Sequence, residues 1–437
     1  MNKKIFLVLA FSLIARIVYF FYDQNIWWDA AVYLSMGKFI FSYGTLGFWE
    51  PIRPLLWPFI LGYGWWIGIS PVIWGHIFST LFSLGGIYLV YLIGKKLYNE
   101  EIGILSAILI SFTWTFFLFN ARLYTEIPAV FFMLLAVYCF LEEKNILSGV
   151  FLGLAVMSKF PAGLLFVILI IFSFKKITKL LELLIGFSVF VVPYLVFNYF
   201  YYGDAFAIIL FAQEFLKYAG IWIFSEPWWY YPWEILKQNV LYIFSLIGIY
   251  FAIRKKEYLL TTIVVAFIVY FSIMTHKEIR FAILFLPFLA IIATVGFMKT
   301  LKNKESFIII TLLIFIVLLN VPEKINNEYF DYFENKELEG ELLVVHPLVG
   351  YHSGKATLMY YPWFNSTQAK YWLEYIKNGN VEYVALDNCE GGFLCDPADL
   401  MCEKKREEIY SYLEENYEEV FYKKSGECKY IIYKVAK

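Results

Sequence analysis

Eleven apolar runs set the terms for this chain: residues 5–21, 72–94, 102–119, 127–141, 146–158, 162–174, 180–199, 236–253, 258–274, 281–297 and 307–320. About 20 apolar residues cross a hydrocarbon core, where backbone polar groups must be satisfied within helices. The runs therefore predict a polytopic α-helical membrane protein with about eleven spans. Composition agrees, at 61% hydrophobic and 17% charged, where soluble domains sit near ~45–50% and ~25%. A net charge of −1 offers no electrostatic footing for a nucleic-acid partner.

Loop charges set the expected orientation. Lys3 and Lys4 precede the first run, and no small-residue cleavage site follows it, so a retained helix with a cytoplasmic N-terminus is expected. With eleven spans, Lys95-Lys96, Lys144, Lys175-Lys176-Lys179, Arg254-Lys255-Lys256 and Lys299-Lys302-Lys304 all fall in short cytoplasmic loops, as the positive-inside rule requires. Merging 146–158 with 162–174 would put the last two clusters outside, so a tight outer turn at Lys159 and Pro161 is expected instead. Odd parity then places the C-terminus outside. Residues 30–43 and 55–69 read as helices along the outer face, the second carrying Pro58, Gly62, Gly64 and three tryptophans. The loop 200–234, with Trp222, Trp228, Trp229 and Trp233, reads as a second interfacial layer.

The texture changes near residue 322, giving two expected domains, 1–321 and 322–437. In the second, 342–345, 381–386, 420–422 and 430–435 read as strands, and 370–377 and 403–416 as helices. This is the pattern of a small extracytoplasmic α/β domain. Cys389, Cys395, Cys402 and Cys428 lie there. Without a CxxC pair, and in an oxidising compartment, they are candidates for disulfides. Asn365-Ser366-Thr367 is a glycosylation sequon.

Charges gather on the expected outer side. Asp29 lies between Trp27-Trp28 and a helical segment carrying Tyr33; Glu50 and Arg53 follow; Arg122 and Glu126 lie in the segment that opens the fourth run. Lys159 sits in the tight turn, and His276, Lys277, Glu278 and Arg280 share one short hairpin. Each has a plain structural reading: Asp29 as a helix N-cap, Glu126 as a first-turn acid favoured by the helix dipole, the hairpin as a solvated turn. Together they describe a polyanion held beside a free carboxylate. Arginine forks suit phosphate oxygens, lysine adds a point charge, and a carboxylate can take a hydroxyl proton.

The chain resembles the GT-C glycosyltransferases, which use polyprenyl-phosphate sugars, and within them the protein-O-mannosyltransferase and aminoarabinose-transferase branch. The pieces that match are Asp29 with Tyr33, Arg53-Pro54-Leu55-Leu56-Trp57-Pro58, Thr125-Glu126-Ile127-Pro128, Ser158-Lys159-Phe160-Pro161 and His276-Lys277-Glu278-Ile279-Arg280-Phe281. The resemblance covers residues 1 to about 320. It implies transfer of a sugar, such as the hexose mannose, from a polyprenyl- or dolichyl-phosphate donor to a glycan, lipid or protein hydroxyl, with inversion, at the plasma membrane. It implies Asp29 and Glu126 as catalytic, Arg53, His276, Lys277 and Arg280 on the donor phosphate, and Glu50, Lys159, Glu278 and Tyr33 as accessory. Where many relatives carry a second acid after the loop aspartate, this chain has Ala30. Either Asp29 acts alone, or Glu50 or Glu126 supplies the second carboxylate. The nearest relatives imply no obligatory metal; oligosaccharyltransferase-like ones imply a divalent ion between such acids. A multi-span transporter or flippase of lipid-linked or anionic substrates is the alternative, against which stand the one-sided charges and the lack of an internal repeat.

Overall fold

The computed structural model describes residues 2–219, 224–323, 328–355, 357–359, 363–364, 366–388, 394–395 and 399–435. All eleven apolar runs are helical. The helices in order are α1 (Lys3–Tyr22), α2 (Trp28–Phe41), α3 (Leu56–Trp66), α4 (Pro71–Leu97), α5 (Glu100–Ser111), α6 (Trp114–Ala121), α7 (Glu126–Leu141) and α8 (Asn145–Ser158). There follow α9 (Gly163–Ser173), α10 (Ile177–Tyr202), α11 (Ala207–Ala219), α12 (Tyr230–Gln238), α13 (Ser245–Arg254), α14 (Tyr258–Ile273), α15 (Leu286–Thr300) and α16 (Lys304–Leu318).

Among the described residues only α1, α4 and α10 are long and apolar enough to cross a membrane by themselves. α5 and α6 pass that test together but are bent by 57° at a short break. Thr113 sits in the break. Its hydroxyl donates to the Leu109 carbonyl at 2.7 Å and lies 2.7 Å from the Tyr242 hydroxyl, so polar groups at the bend find partners. The runs 236–253 and 281–297 are likewise interrupted, by 3-10 turns at Val240–Phe244 and Ile279–Leu284. The sequence counts apolar residues but not these breaks, so eleven uniform spans are not what the structure contains. α8 and α9 are separate helices, parted at Lys159 and the 3-10 turn Phe160–Ala162, as the hairpin reading expects. α1 and α10 expose apolar side chains along their lengths, Phe11, Ile14, Ile185 and Val189 among them. A sheath of that kind is stable only against lipid or another apolar surface.

α2 and α3 are the two helices expected along the outer face. They cross closely because each has a glycine at the crossing. A Cβ on Gly37 would come within 2.7 Å of the Gly62 nitrogen and the Pro58 carbonyl, and one on Gly62 within 2.4 Å of the Gly37 carbonyl. The residues of 200–234 that are described include α11 and the start of α12, with Trp228 and Trp229 exposed.

The C-terminal part is a small α/β unit. Its strands are β1 (Glu341–Val344), β2 (Thr357–Met359), β3 (Trp363–Phe364), β4 (Val381–Asp387), β5 (Leu394–Cys395), β6 (Glu418–Ser425) and β7 (Cys428–Lys434). Five form a sheet in the order β2-β1-β4-β7-β6. β1 runs parallel to β2 and β4, while β7 is antiparallel to β4 and β6; β3 pairs separately with β5. Helices α17 (Glu328–Asp331), α18 (Pro347–His352), α19 (Ser366–Asn378) and α20 (Leu400–Asn416) complete it. Cys395 and Cys402 form a disulfide, and Cys428 is also disulfide-bonded. Cys389 and the sequon residue Asn365 lie outside the described residues. This unit rests on α2. Gly350 of α18 lies close against Phe48, the Thr357 N–H donates to the Gly47 carbonyl at 2.8 Å, and the Lys38 ammonium donates to the Tyr351 carbonyl at 2.7 Å.

Candidate active site

Asp29 opens the site. It lies in the first turn of α2, but the cap position is Trp27, and no side chain caps the helix. The N-cap reading of Asp29 therefore fails: its carboxylate turns to two arginines instead. Arg53 Nη2 donates to Oδ1 at 2.9 Å, and Arg280 Nη1 donates to Oδ2. Both arginines lie far from Asp29 in sequence, one just before α3 and one in the 3-10 turn before α15. Their convergence is a product of the fold.

The rest of the cluster hangs on the same two guanidinium groups. Arg53 Nε donates to Glu50 at 2.6 Å, Nη1 lies 3.4 Å from the Tyr33 hydroxyl, and the group sits 5.5 Å from the Tyr33 ring. Arg280 Nη2 donates to Glu278 at 2.5 Å, and Nε lies 3.7 Å from Glu126. Lys159 Nζ donates to the same Glu126 oxygen at 2.6 Å, and His276 Nε2 lies 2.7 Å from Glu278. Four carboxylates thus face two arginines and a lysine in one connected, largely buried cluster. Asp29, Glu50 and Glu126 are 6%, 1% and 1% exposed, so none of them is solvated enough to stand without its partners.

Burial alone would raise the Asp29 carboxyl, but Arg53 and Arg280 outweigh it and hold the group well below the ordinary carboxylate range. The same contest, won by Arg280 and His276, lowers Glu278. Burial pulls the Lys159 ammonium below its usual value in spite of Glu126 beside it. Asp29 is therefore not the free carboxylate expected from sequence: both of its oxygens are engaged, which keeps it ionised and makes it a weak proton acceptor. Glu126 differs. Its Oε2 is buried with no hydrogen-bond partner among the described residues, so a hydrogen-bond donor is owed there.

One sequence candidate stands apart. The Lys277 N–H donates to the Phe224 carbonyl at 3.0 Å, beside the bridge between Ser225 and His276. His276 lies against Glu278, and Glu278 against Arg280; Lys277 between them is buried, and its ammonium makes no hydrogen bond or ion pair among the described residues. Arg122 also departs, pairing with Asp23 at 3.8 Å over the Trp27 ring. Sequence reasoning passed over Thr125, 3.5 Å from the Tyr33 hydroxyl, and Tyr124, whose ring lies 5.0 Å from the Arg280 guanidinium. Both belong to the Thr125-Glu126-Ile127-Pro128 neighbourhood and were open to it. It also passed over Arg16, buried in the first run, where Ser12, Ser83 and the Phe117 ring receive it.

A divalent ion needs several carboxylate oxygens converging on one point. In this cluster each carboxylate faces guanidinium, ammonium or imidazole nitrogens, so the donor set does not fit such an ion. A group of that geometry, Asp331, Glu334 and His352, lies in the C-terminal unit instead.

Known proteins resemble the chain in sequence or in fold. The family model for dolichyl-phosphate-mannose-protein mannosyltransferase matches residues 53–197. An uncharacterized protein of Aquifex aeolicus (strain VF5) is 26% identical over 328 residues, covering 70% of this chain and 74% of that protein. The crystal structure of ArnT from Cupriavidus metallidurans bound to undecaprenyl phosphate superposes with a TM-score of 0.71 at 10% identity, over 99% of this chain and 98% of that one. The archaeal oligosaccharyltransferase AglB from Archaeoglobus fulgidus, in complex with an inhibitory peptide and a dolichol-phosphate, gives 0.60 at 12% identity, over 98% and 74%. The chain has the fold of the GT-C superfamily. Within it, the resemblance to the protein-mannosyltransferase and aminoarabinose-transferase branch holds.

Proposed function

We propose that the chain is a membrane glycosyltransferase that moves a sugar, a hexose such as mannose, from a polyprenyl- or dolichyl-phosphate donor to an acceptor hydroxyl on the extracytoplasmic side. The observation that carries this reading is the convergence of Arg53 and Arg280 on Asp29 at the start of α2. It is supported by the undecaprenyl phosphate and dolichol-phosphate held by the two solved structures of like fold.

The chemistry follows from the ion pairs. An incoming phosphate competes with Asp29 for the two guanidinium groups, which suit its oxygens better than a single carboxylate does. As they turn to the phosphate, Asp29 loses the charges that depress it and becomes a stronger base. The acceptor oxygen then attacks the anomeric carbon from the face opposite the phosphate. The bond between that carbon and the phosphate oxygen breaks, the hydroxyl proton passes to Asp29, and the polyprenyl phosphate leaves with its charge held by Arg53 and Arg280. Donor binding in this scheme switches on the base. Glu126 orients the acceptor through its unpartnered oxygen. That same oxygen favours a second reading, in which Glu126 is the base and Asp29 only a counter-ion.

The reading includes eleven crossings, an N-terminus in the cytoplasm and the α/β unit outside, which the Cys395–Cys402 disulfide supports. No obligatory metal is part of it. Transfer of labelled sugar from polyprenyl phosphate by purified Asp29→Asn and Glu126→Gln proteins tests it. Asp29→Asn should retain donor lipid and lose ~10²–10⁴-fold in turnover. Near-normal transfer by Asp29→Asn with loss in Glu126→Gln would move the base to Glu126. Donor lipid carried across vesicles without transfer by the unaltered chain would replace the enzyme with a flippase.

A further inference from the structure

A second charged site lies at the other end of the bundle. α15 begins next to the turn that holds Arg280 and ends at Thr300, and its 15 residues span about 22 Å. At that far end is a cavity of about 770 Å³. Arg254, Lys255, Lys299, Lys302 and Lys304 line it, against two acids, Glu101 and Glu305. Among the described residues none of the five cations makes an ion pair.

Loop lysines are ordinarily signals of orientation, and those at the ends of α13 and α15 also suit the helix dipole. Neither reason covers the whole arrangement. An orientation signal needs charge in a loop, not the meeting of three separate loops around one concave space. Lys304 is the first residue of α16, where a cation opposes the dipole. That placement is accounted for if an anion occupies the space beside it. Phe251, Val295 and Met298 line the same cavity. α13 and α16 lead away from it and expose Ile253, Leu246, Ile309 and Leu313 along their lengths, so the ligand it fits is charged at one end and apolar at the other.

We propose that this cavity binds the phosphate of an anionic phospholipid headgroup, as a site separate from the cluster around Asp29. The proposal does not depend on the activity assigned to that cluster. A soluble phosphate ester offers the same charge without the apolar tail, so the test must part the two sources.

The full chain in detergent is titrated with short-chain phosphatidylglycerol, phosphatidylcholine of the same chain length, and inorganic pyrophosphate, with binding read by thermophoresis. Phosphatidylglycerol should bind at least about tenfold more tightly than phosphatidylcholine. Each lysine is worth about fivefold near an anionic headgroup, so Lys299→Gln with Lys302→Gln and Lys304→Gln should weaken binding about a hundredfold. Glu101→Gln with Glu305→Gln should tighten it, a gain that misfolding cannot mimic. Pyrophosphate that competes at equal concentration would keep the phosphate site and make its ligand soluble. Equal affinity for the two lipids, or a triple variant that binds phosphatidylglycerol unchanged, would overturn the proposal.

Discussion

Trp28 meets His346 edge-on, with ring centroids 4.7 Å apart. The residue beside Asp29 is thereby held by the C-terminal α/β unit. His346 is buried, accepts the Leu348 N–H at Nδ1 and is flanked on another side by Phe330 at 4.6 Å. Burial pushes its pKa down to about 3. The folded chain keeps this imidazole neutral where the unfolded chain protonates it, so the group costs stability below about pH 6.5, and the cost grows as pH falls towards 3. The slope is at most ~1.4 kcal/mol per pH unit. Thermal unfolding at pH 5 and pH 7 should show it, and His346→Phe, which keeps the ring packing, should flatten it.

Arg53 serves Asp29, Glu50 and Tyr33 at once, from different nitrogens of one planar group. Lysine offers a point charge and cannot make those contacts together. Arg53→Lys should therefore behave almost as Arg53→Ala, weakening donor-lipid affinity by ~1.5–3 kcal/mol for each charged hydrogen bond lost. Equilibrium binding of polyprenyl phosphate to the two variants measures this. A lysine variant indistinguishable from the unaltered chain would remove Arg53 from the phosphate-binding role.

The donor set of the cluster predicts indifference to chelators. Transfer activity after dialysis against EDTA should match that of untreated protein, with less than about twofold change. A loss restored by a divalent ion would show that the carboxylates leave their arginines to hold a metal, and the donor-switched base would fall with it.

The α2–α3 crossing has no room for a side chain. Gly37→Val should destabilise the chain by ~1–3 kcal/mol through overpacking, and should lower turnover more than donor affinity because it displaces the helix bearing Asp29. Unfolding and transfer kinetics on one preparation separate the two effects.

The Cys395–Cys402 bridge closes a short loop, with a sequence separation of 7. Chain-entropy arguments give ~2–3 kcal/mol for a loop of this size. The melting temperature of Cys395→Ser with Cys402→Ser, which leaves the bridge at Cys428 in place, should fall accordingly. The free, buried Cys139 should make no contribution to the difference.

Apolar runs and charge bias made the helices legible, because lipid burial imposes a long and simple pattern. The main strands of the C-terminal unit were legible for a similar reason, being short β-branched runs between turns. β2 was not, since Thr357–Met359 has too few residues to show alternation. The site residues were readable as types and positions, but their pairings were not. Nothing local says that Arg280 reaches Asp29, or that Lys159 and Arg280 share one oxygen of Glu126. Those contacts depend on helix breaks, and the break at Thr113 is accompanied by a hydroxyl contact with Tyr242, 129 residues away. Lys277 lies in the same motif as His276, Glu278 and Arg280, yet its ammonium makes no pairing with them among the described residues, and the sequence did not show that difference.

The contact between Lys38 and the Tyr351 carbonyl joins residues 313 positions apart. At ordinary rates of synthesis, about 5–20 residues per second, α2 waits roughly 15–60 s on the ribosome before the segment that covers it exists. During that interval Asp29 has no α/β unit beside it, and a donor lipid entering would meet an unfinished site. The cover over α2 is thus timed by translation: Lys38 is made 313 residues before the carbonyl that receives it, so the α/β unit docks on a helix already synthesised.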